Sequence, residues 1–112
     1  MSESKNEAVF VNVIEVEPSR YQELVSILKE GNDSVIRKRE GFISALLLAN
    51  GDKTRVVTVA RWKSMDAAKA LQSDPAVNGY VNRTAAVAKA SPAMFAVVAE
   101  YAPGRTSRDL SG

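Results

Sequence analysis

Three polar side chains within predicted strands have the types and spacing to do chemistry together: Asn12, Thr58 and Trp62. Asn12 is an amide inside the apolar run 8–17, and Trp62 ends the run 55–62, four residues after Thr58. Because side chains alternate across a strand, Thr58 and Trp62 share one face. An amide NH2 group and an indole N–H can donate to an oxygen that gains negative charge, and the indole can stack on a planar aromatic ligand. Thr58 can orient a hydroxyl group but cannot act as a strong base.

Each of these residues also has a structural interpretation. Burying an unpaired amide costs roughly 1–3 kcal/mol, so Asn12 needs a partner: Thr58 across the sheet, backbone, water or a ligand. A tryptophan such as Trp62 is commonly part of a core, and a threonine suits any strand. The sequence alone leaves both interpretations open.

The chain contains no cysteine and no histidine. This excludes disulfides, thiolate nucleophiles and iron–sulfur clusters. It also excludes an imidazole base, histidine-ligated haem and an ordinary zinc site. Any chemistry must therefore use carboxylates, Lys or Arg, Tyr, hydroxyl or amide groups, or the ligand's own reactivity.

The bulk composition indicates one domain. The 112 residues are 46% hydrophobic, which suffices for a single core. The net charge is +2 and the basic residues are scattered, so we expect no nucleic-acid partner. The longest apolar run, Ala45–Ala49, is far short of the ~20 residues that span a bilayer, and no secretory signal is recognisable. We expect no membrane partner, a cytoplasmic location, a flexible N-terminus over 1–7, a domain over 8–101 and a polar tail over 102–112.

The periodicity predicts the order β-α-β-β-α-β. Strands are predicted over 8–17, 42–49, 55–62 and 94–101, and helices over roughly 19–39, over 64–73 and from Pro75 onward. Ser19 and Gln22 have the spacing of a capping box, and Pro92 is expected to separate the last helix from the last strand. This order predicts an α+β, ferredoxin-like fold, in which helices cover one face of a four-stranded antiparallel sheet.

The first, second and fourth predicted strands are apolar on both faces. In a sheet with helices on one side only, Val9, Val11 and Val13 would then be exposed as part of a large apolar patch, which marks an interface. We therefore predict a homodimer in which two sheets pack face to face, as a dimeric α+β barrel.

The strand order, together with FVNVIEV, EGFISALLL and VTVARWKSMDAAKAL, resembles the antibiotic biosynthesis monooxygenase superfamily of dimeric α+β barrels. The resemblance covers about residues 8–101. It is carried by Asn12 in the first strand, by the pair Gly41-Phe42, and by Trp62 with a helix after it.

Within that superfamily the pattern is most similar to the cofactor-independent anthrone oxygenases of aromatic polyketide pathways. These use a strand-one asparagine, a strand-three asparagine and a tryptophan four residues later. Asn12 and Trp62 match, whereas Thr58 departs from the pattern. The resemblance implies oxidation of an electron-rich, anthrone-like phenol to a quinone, with molecular oxygen as co-substrate and no cofactor. Haem-degrading and quorum-signal-processing members rely on a histidine, which this chain lacks.

Four further residues are candidates for substrate binding. Tyr80 and Arg83 lie three apart on one helix face, from which Arg83 could stabilise a phenolate and Tyr80 could relay a proton. Tyr21 and Phe42 are expected to line the pocket or the core. Two alternatives stay open: a non-catalytic dimeric barrel that binds a small apolar metabolite, and an isomerase- or cyclase-like member. Oxygen uptake separates the monooxygenase from both.

Overall fold

The chain folds into a four-stranded antiparallel sheet with helices packed on one face. The computed structural model describes residues 7–104 and 108–109. Its strands are β1 (Ala8–Glu15), β2 (Phe42–Ala49), β3 (Arg55–Trp62), β4 (Lys89–Ala96), β5 (Ala99–Glu100) and β6 (Arg108–Asp109). Its helices are α1 (Tyr21–Ser34), α2 (Met65–Lys69) and α3 (Pro75–Ala85), with 3-10 turns at Pro18–Arg20, Ile36–Lys38 and Ala70–Ser73.

The strand order in the main sheet is β2-β3-β1-β4, with antiparallel pairing throughout. This confirms the predicted ferredoxin-like α+β fold. The two central strands are β1 and β3, which carry the three candidate residues. The short strands β5 and β6 pair only with each other in the described part of the chain.

Local sequence explains where the second half of the helical layer begins. Ser64 caps α2, because its hydroxyl accepts a hydrogen bond from the Ala67 N–H at 3.0 Å. Asp74 caps α3 by accepting from the Ala76 N–H at 3.0 Å, and Pro75 fills the first helical position. The predicted helix starts at residue 64 and at Pro75 therefore agree with the structure, in which Ser64 is the cap and Met65 the first residue of α2.

Several predicted boundaries are wrong. The first strand ends at Glu15 and not at residue 17, and α1 ends at Ser34, with a 3-10 turn after it, and not near residue 39. Ser19 does not cap α1, because Pro18 starts a 3-10 turn that includes it, and the helix proper begins at Tyr21. The last long strand is 89–96 and not 94–101. Pro92 lies inside that strand, which is tolerated because β4 is an edge strand and proline's missing N–H costs no ladder bond on the outer side.

The core between the sheet and the helices consists of two clusters. The upper cluster lies at the Trp62 end of the strands and contains the buried residues Ala8, Ile36, Ala60, Trp62, Ala68 and Val77. The lower cluster lies at the opposite end and contains Ile14, Val16, Leu24, Leu28 and Val56. On the two central strands, Asn12 and Thr58 lie between these clusters.

The other face of the sheet, which we call the open face, is apolar and exposed. It is formed by Val9, Val11, Val13, Leu46, Leu48, Val57, Val59 and Phe95, as the strand register shows. Leu46 is 61% exposed and Phe95 is 51% exposed, which is unusual for side chains of this size. None of the helices in the described part of the chain has the length and hydrophobicity of a membrane-spanning segment.

The predicted termini can be compared with the structure only in part. Residues 1–6 of the expected N-terminal segment, and 105–107 and 110–112 of the expected tail, lie outside the described residues. Within the tail, Arg108–Asp109 forms β6 against Ala99–Glu100.

Candidate functional site

Asn12 and Thr58 are direct neighbours across β1 and β3. Their Cα atoms are register partners, and both side chains point to the helix-covered face, as do the buried residues Ile14 and Val56 beside them. The two polar groups therefore form one layer in the middle of an otherwise apolar surface. A cross-strand pair of this kind lies within reach of a shared ligand.

A backbone group of the edge strand fixes the orientation of the Asn12 amide. The Ser91 N–H donates to Asn12 Oδ1 at 3.1 Å. The acceptor end of the amide is thereby engaged, which leaves its NH2 group as the donor end. This partner is not predictable from the hydrophobic pattern, because the predicted last strand begins only at Met94.

Thr58 and Trp62 both bury a polar atom that has no protein partner. Thr58 is 6% exposed and Trp62 is fully buried. Thr58 Oγ1 and Trp62 Nε1 lack a hydrogen-bond partner among the described residues. Each such group costs about 1–3 kcal/mol relative to a satisfied one, and native folds contain few of them. Two such polar atoms on one face of one strand are therefore unusual. A ligand that forms hydrogen bonds with both would explain them.

Phe42 holds the Trp62 ring in place. The two ring centroids are 5.4 Å apart at an interplanar angle of 80°, which is an edge-to-face contact. Phe42 starts β2, directly after Gly41, whose φ of +87° is reached easily only by glycine. Phe42 is thus a neighbour of the indole, consistent with its expected position at the pocket or core.

Tyr80 lies above the polar layer. Among the described residues, it alone packs against both the upper and the lower cluster. Burial raises the pKa of Tyr80 to about 12, and a hydrogen bond from the Asn32 side chain opposes this shift. At neutral pH the Tyr80 hydroxyl is therefore protonated and can donate a hydrogen bond, but it cannot serve as a base.

The structure places the other two predicted substrate-binding residues away from this layer. Arg83 Nη2 forms an ion pair with Glu30 Oε1 at 3.0 Å on the exposed surface between α1 and α3. Tyr21 packs against the lower cluster, and its ring centroid is 5.4 Å from the Lys53 ammonium. That Arg83 and Tyr80 reach a common cavity stays a prediction.

A cleft of about 690 Å³ lies at the lower end of the strands, far from Trp62. Charged side chains contribute much of its lining, including Glu15, Arg20 and Arg55. These groups are solvated, and the cleft does not include Asn12, Thr58 or Trp62. We therefore place the candidate site at the polar layer and not in this cleft.

The site offers neutral hydrogen-bond donors in apolar surroundings. Its groups are an amide, a hydroxyl, an indole and a phenol, and none of them is charged at neutral pH. No cluster of three or more His, Cys, Asp or Glu side chains suited to a metal occurs within residues 7–104 and 108–109. Such an arrangement can bind a flat, oxygen-bearing aromatic molecule and stabilise negative charge on its oxygen.

The fold and this site define the class of protein. The chain belongs to the antibiotic biosynthesis monooxygenase family, whose model matches residues 8–83. This confirms the family resemblance seen in the sequence.

Particular relatives are similar along almost the whole chain. Tetracenomycin-F1 monooxygenase from Streptomyces glaucescens is 29% identical over 107 residues, which cover 96% of this chain and 94% of that protein. The monooxygenase ActVA-Orf6 of Streptomyces coelicolor, in complex with nanaomycin D, matches with a TM-score of 0.78 at 24% identity, covering 89% of this chain and 95% of its own. SnoaB, a cofactor-independent oxygenase from Streptomyces nogalater, matches with a TM-score of 0.71 at 17% identity, covering 89% and 99%. At these identities the two structures show a shared fold.

Proposed function

We propose that this chain is a cofactor-independent monooxygenase that oxidises an electron-rich polycyclic phenol, such as an anthrone, to a quinone with O2. The observation that carries the proposal is the pair of buried, unpartnered polar atoms, Thr58 Oγ1 and Trp62 Nε1, beside the oriented amide of Asn12. Four residues along a strand span roughly 13 Å, which suits a flat polycyclic ligand better than a single ring. The names of the similar proteins, which include a cofactor-independent oxygenase, support the same class.

Each residue has a defined task in this proposal. The NH2 group of Asn12 and the N–H of Trp62 donate to substrate oxygens, and they favour the enolate over the ketone because its oxygen carries more charge. Thr58 orients a substrate hydroxyl. Tyr80 closes the site from above and donates a hydrogen bond in its neutral form. A dry site strengthens all of these interactions.

The oxidation balances without a bound redox group. The enolised ring loses its proton to solvent and transfers one electron to O2, and the two radicals combine to form a carbon–oxygen bond. The resulting peroxide anion gains a proton to become a hydroperoxide, which then loses water, so that a ring CH2 group and O2 become a ring carbonyl and H2O. The protein holds the electron-rich ring next to O2 and excludes competing water.

Oxygen uptake with the tricyclic substrate anthrone tests this function. We expect one O2 consumed per anthraquinone formed, no turnover under anaerobic conditions, and no effect of chelators or added flavin. Asn12→Ala should lower kcat more than it raises KM, because the donor acts on charge that develops during the reaction. A requirement for added metal or flavin would refute the proposal.

A non-catalytic binding protein is the second candidate, and the hydroxyl at Thr58 favours it. Thr58 stands where the resembled oxygenases have an asparagine, and no strong base lies in the polar layer. Such a protein would bind anthraquinone and anthrone without oxygen uptake. Equal loss of affinity and of apparent rate in Asn12→Ala would indicate binding alone, and product formation without oxygen uptake would indicate an isomerase or cyclase.

We also propose that two copies associate through their open faces. Exposed side chains such as Leu46, Leu48 and Phe95 form a continuous apolar surface, which monomeric proteins rarely leave in water. Packing two such faces together would form an isologous interface that buries all of them. Sedimentation velocity would detect the dimer, and a monomer at micromolar concentration would contradict the proposal. The cytoplasmic location expected from the sequence stays a prediction.

A further inference from the structure

A glycine inside α1 makes room for the tyrosine above the polar layer. Gly31 is buried in α1, where glycine costs about 1 kcal/mol relative to alanine. A Cβ atom built on Gly31 would lie 2.2 Å from Tyr80 Cε1 and 2.3 Å from Tyr80 Cδ1. No real Cβ atom tolerates such contacts, so the Tyr80 ring occupies the volume that any other residue at position 31 would need.

The position of this ring bears on the site because of what lies beneath it. Tyr80 packs on both core clusters and therefore spans the layer that contains Asn12 and Thr58. Leu28, one turn before Gly31, belongs to the lower cluster together with Ile14 of β1 and Val56 of β3, so α1 packs on the two central strands beside this layer. A ring that has to leave the space beside Gly31 would accordingly shift across the layer that contains Asn12 and Thr58.

We propose that Gly31 is a positioning residue that sets how large a polycyclic ligand the site accepts, by letting the Tyr80 ring recede from Asn12 and Thr58. The proposal rests on the proposed function only in placing the ligand at this layer. Substitution of Gly31 by alanine would move the Tyr80 ring toward Asn12 and Thr58 and reduce the space above these two residues. Ligands with more fused rings would lose affinity first, since an overfilled site penalises the largest occupant most.

Binding of redox-inert quinones tests this without requiring turnover. The probes are 1,4-naphthoquinone, 9,10-anthraquinone and 5,12-tetracenequinone, measured by quenching of Trp62, the only tryptophan in the chain. In Gly31→Ala we expect affinity for the four-ring quinone to fall about tenfold, while that for the two-ring quinone changes by less than about twofold. Calorimetric titration gives the same constants independently of fluorescence.

Gly79 provides the matched control. It is an exposed glycine on α3, next to Tyr80 in sequence, and nothing lies within 4 Å of a Cβ built there. Gly79→Ala should leave all three affinities unchanged. The double variant Gly31→Ala/Tyr80→Leu should recover binding of the four-ring quinone, because the shorter side chain leaves room for the new methyl group.

The outcomes separate this inference from the proposed function. Equal effects of Gly31→Ala on all three quinones, or a selective loss that persists in the double variant, would overturn it, as would a wild-type protein that binds none of them. One further outcome is that the wild type binds the quinones, and Gly31→Ala loses affinity for the four-ring quinone as predicted, while the wild type consumes no oxygen with anthrone. In that case oxidation is refuted and the role of Gly31 stands.

Discussion

Replacing Thr58 with valine should make the free protein more stable and its ligand complex weaker. Thr58 Oγ1 is buried without a hydrogen-bond partner in the described structure, so the folded state carries its desolvation cost. Valine has nearly the same shape and replaces the hydroxyl with a methyl group. If the Thr58 hydroxyl forms a hydrogen bond with a ligand, the same oxygen atom lowers the stability of the free protein and strengthens ligand binding.

The expected magnitude follows from the cost of an unsatisfied buried hydroxyl, about 1–3 kcal/mol. Allowing for imperfect packing of the new methyl group, we expect the free energy of unfolding to rise by about 1–2 kcal/mol. With a urea m-value of about 2 kcal/mol/M, the midpoint should rise by about 0.5–1 M. Loss of one hydrogen bond to the ligand should weaken binding about three- to tenfold.

Urea unfolding without ligand, at one fixed protein concentration, measures the first effect, because an associating protein gains stability with concentration. Quenching of Trp62 by anthraquinone measures the second. Thr84→Val is the matched control: Thr84 is 5% exposed like Thr58, but its hydroxyl donates to the Tyr80 carbonyl oxygen at 3.1 Å. That variant should be neutral or less stable than wild type.

The reasoning would be refuted if Thr58→Val were no more stable than wild type and bound anthraquinone equally well. Thr58 Oγ1 would then have a protein partner in solution, and the polar layer would be an ordinary part of the core. An increase in stability without any loss of binding would show an unpaired hydroxyl that no ligand uses.

Three further predictions concern other parts of the molecule. Leu46→Lys, which places a charge on the edge strand β2 of the open face, should shift sedimentation from dimer to monomer, and an unchanged dimer would locate the interface elsewhere. Tyr80→Phe should leave the pH profile of oxygen uptake unchanged below about pH 10, because the pKa of Tyr80 is raised to about 12 and its hydroxyl stays neutral over this range. Loss of a pH-dependent step in the profile of the variant would contradict this. The Arg39 guanidinium holds the pKa of the Asp74 carboxyl below its ordinary value of 3.8, so this pair stabilises the fold above that pH and ceases to do so as the pH falls through the lowered pKa. In urea unfolding, Asp74→Asn should therefore be less stable than wild type at neutral pH, with a difference that shrinks in acid and that would stay constant if the pair contributed nothing.

The fold could be predicted from the sequence because its strands have clear hydrophobic patterns. Tertiary contacts do not change the secondary structure that these patterns indicate. The bounds of β2 and β3 match the prediction residue for residue. The alternation in β3 also predicted that Thr58 and Trp62 share one face, and in the structure this is the buried face. The error at β4 arose because Pro92 was treated as a break, although an edge strand can hold a proline.

The candidate site was less accessible to sequence reasoning, because it depends on contacts between residues far apart in the chain. The Asn12 partner is a backbone N–H in β4, and backbone donors carry no sequence signature. The spacing of Tyr80 and Arg83 could not reveal that Glu30, on another helix, pairs with Arg83 at the surface. Gly31 could be noted as an interruption of its helix, but only the fold shows that Tyr80 fills the space above it.

The hydrogen bond from Ser91 to Asn12 ties the polarity of the site to the alignment of the outermost strand. Pro92 is the register partner of Asn12, and it has no N–H to offer. Were β4 to slip by one residue, the proline nitrogen would replace the Ser91 donor, and the amide would be free to turn its oxygen inward. A donor site would then become an acceptor site, which repels an enolate instead of holding it. Mutations that loosen this edge would thus alter chemistry without touching any residue that meets the substrate.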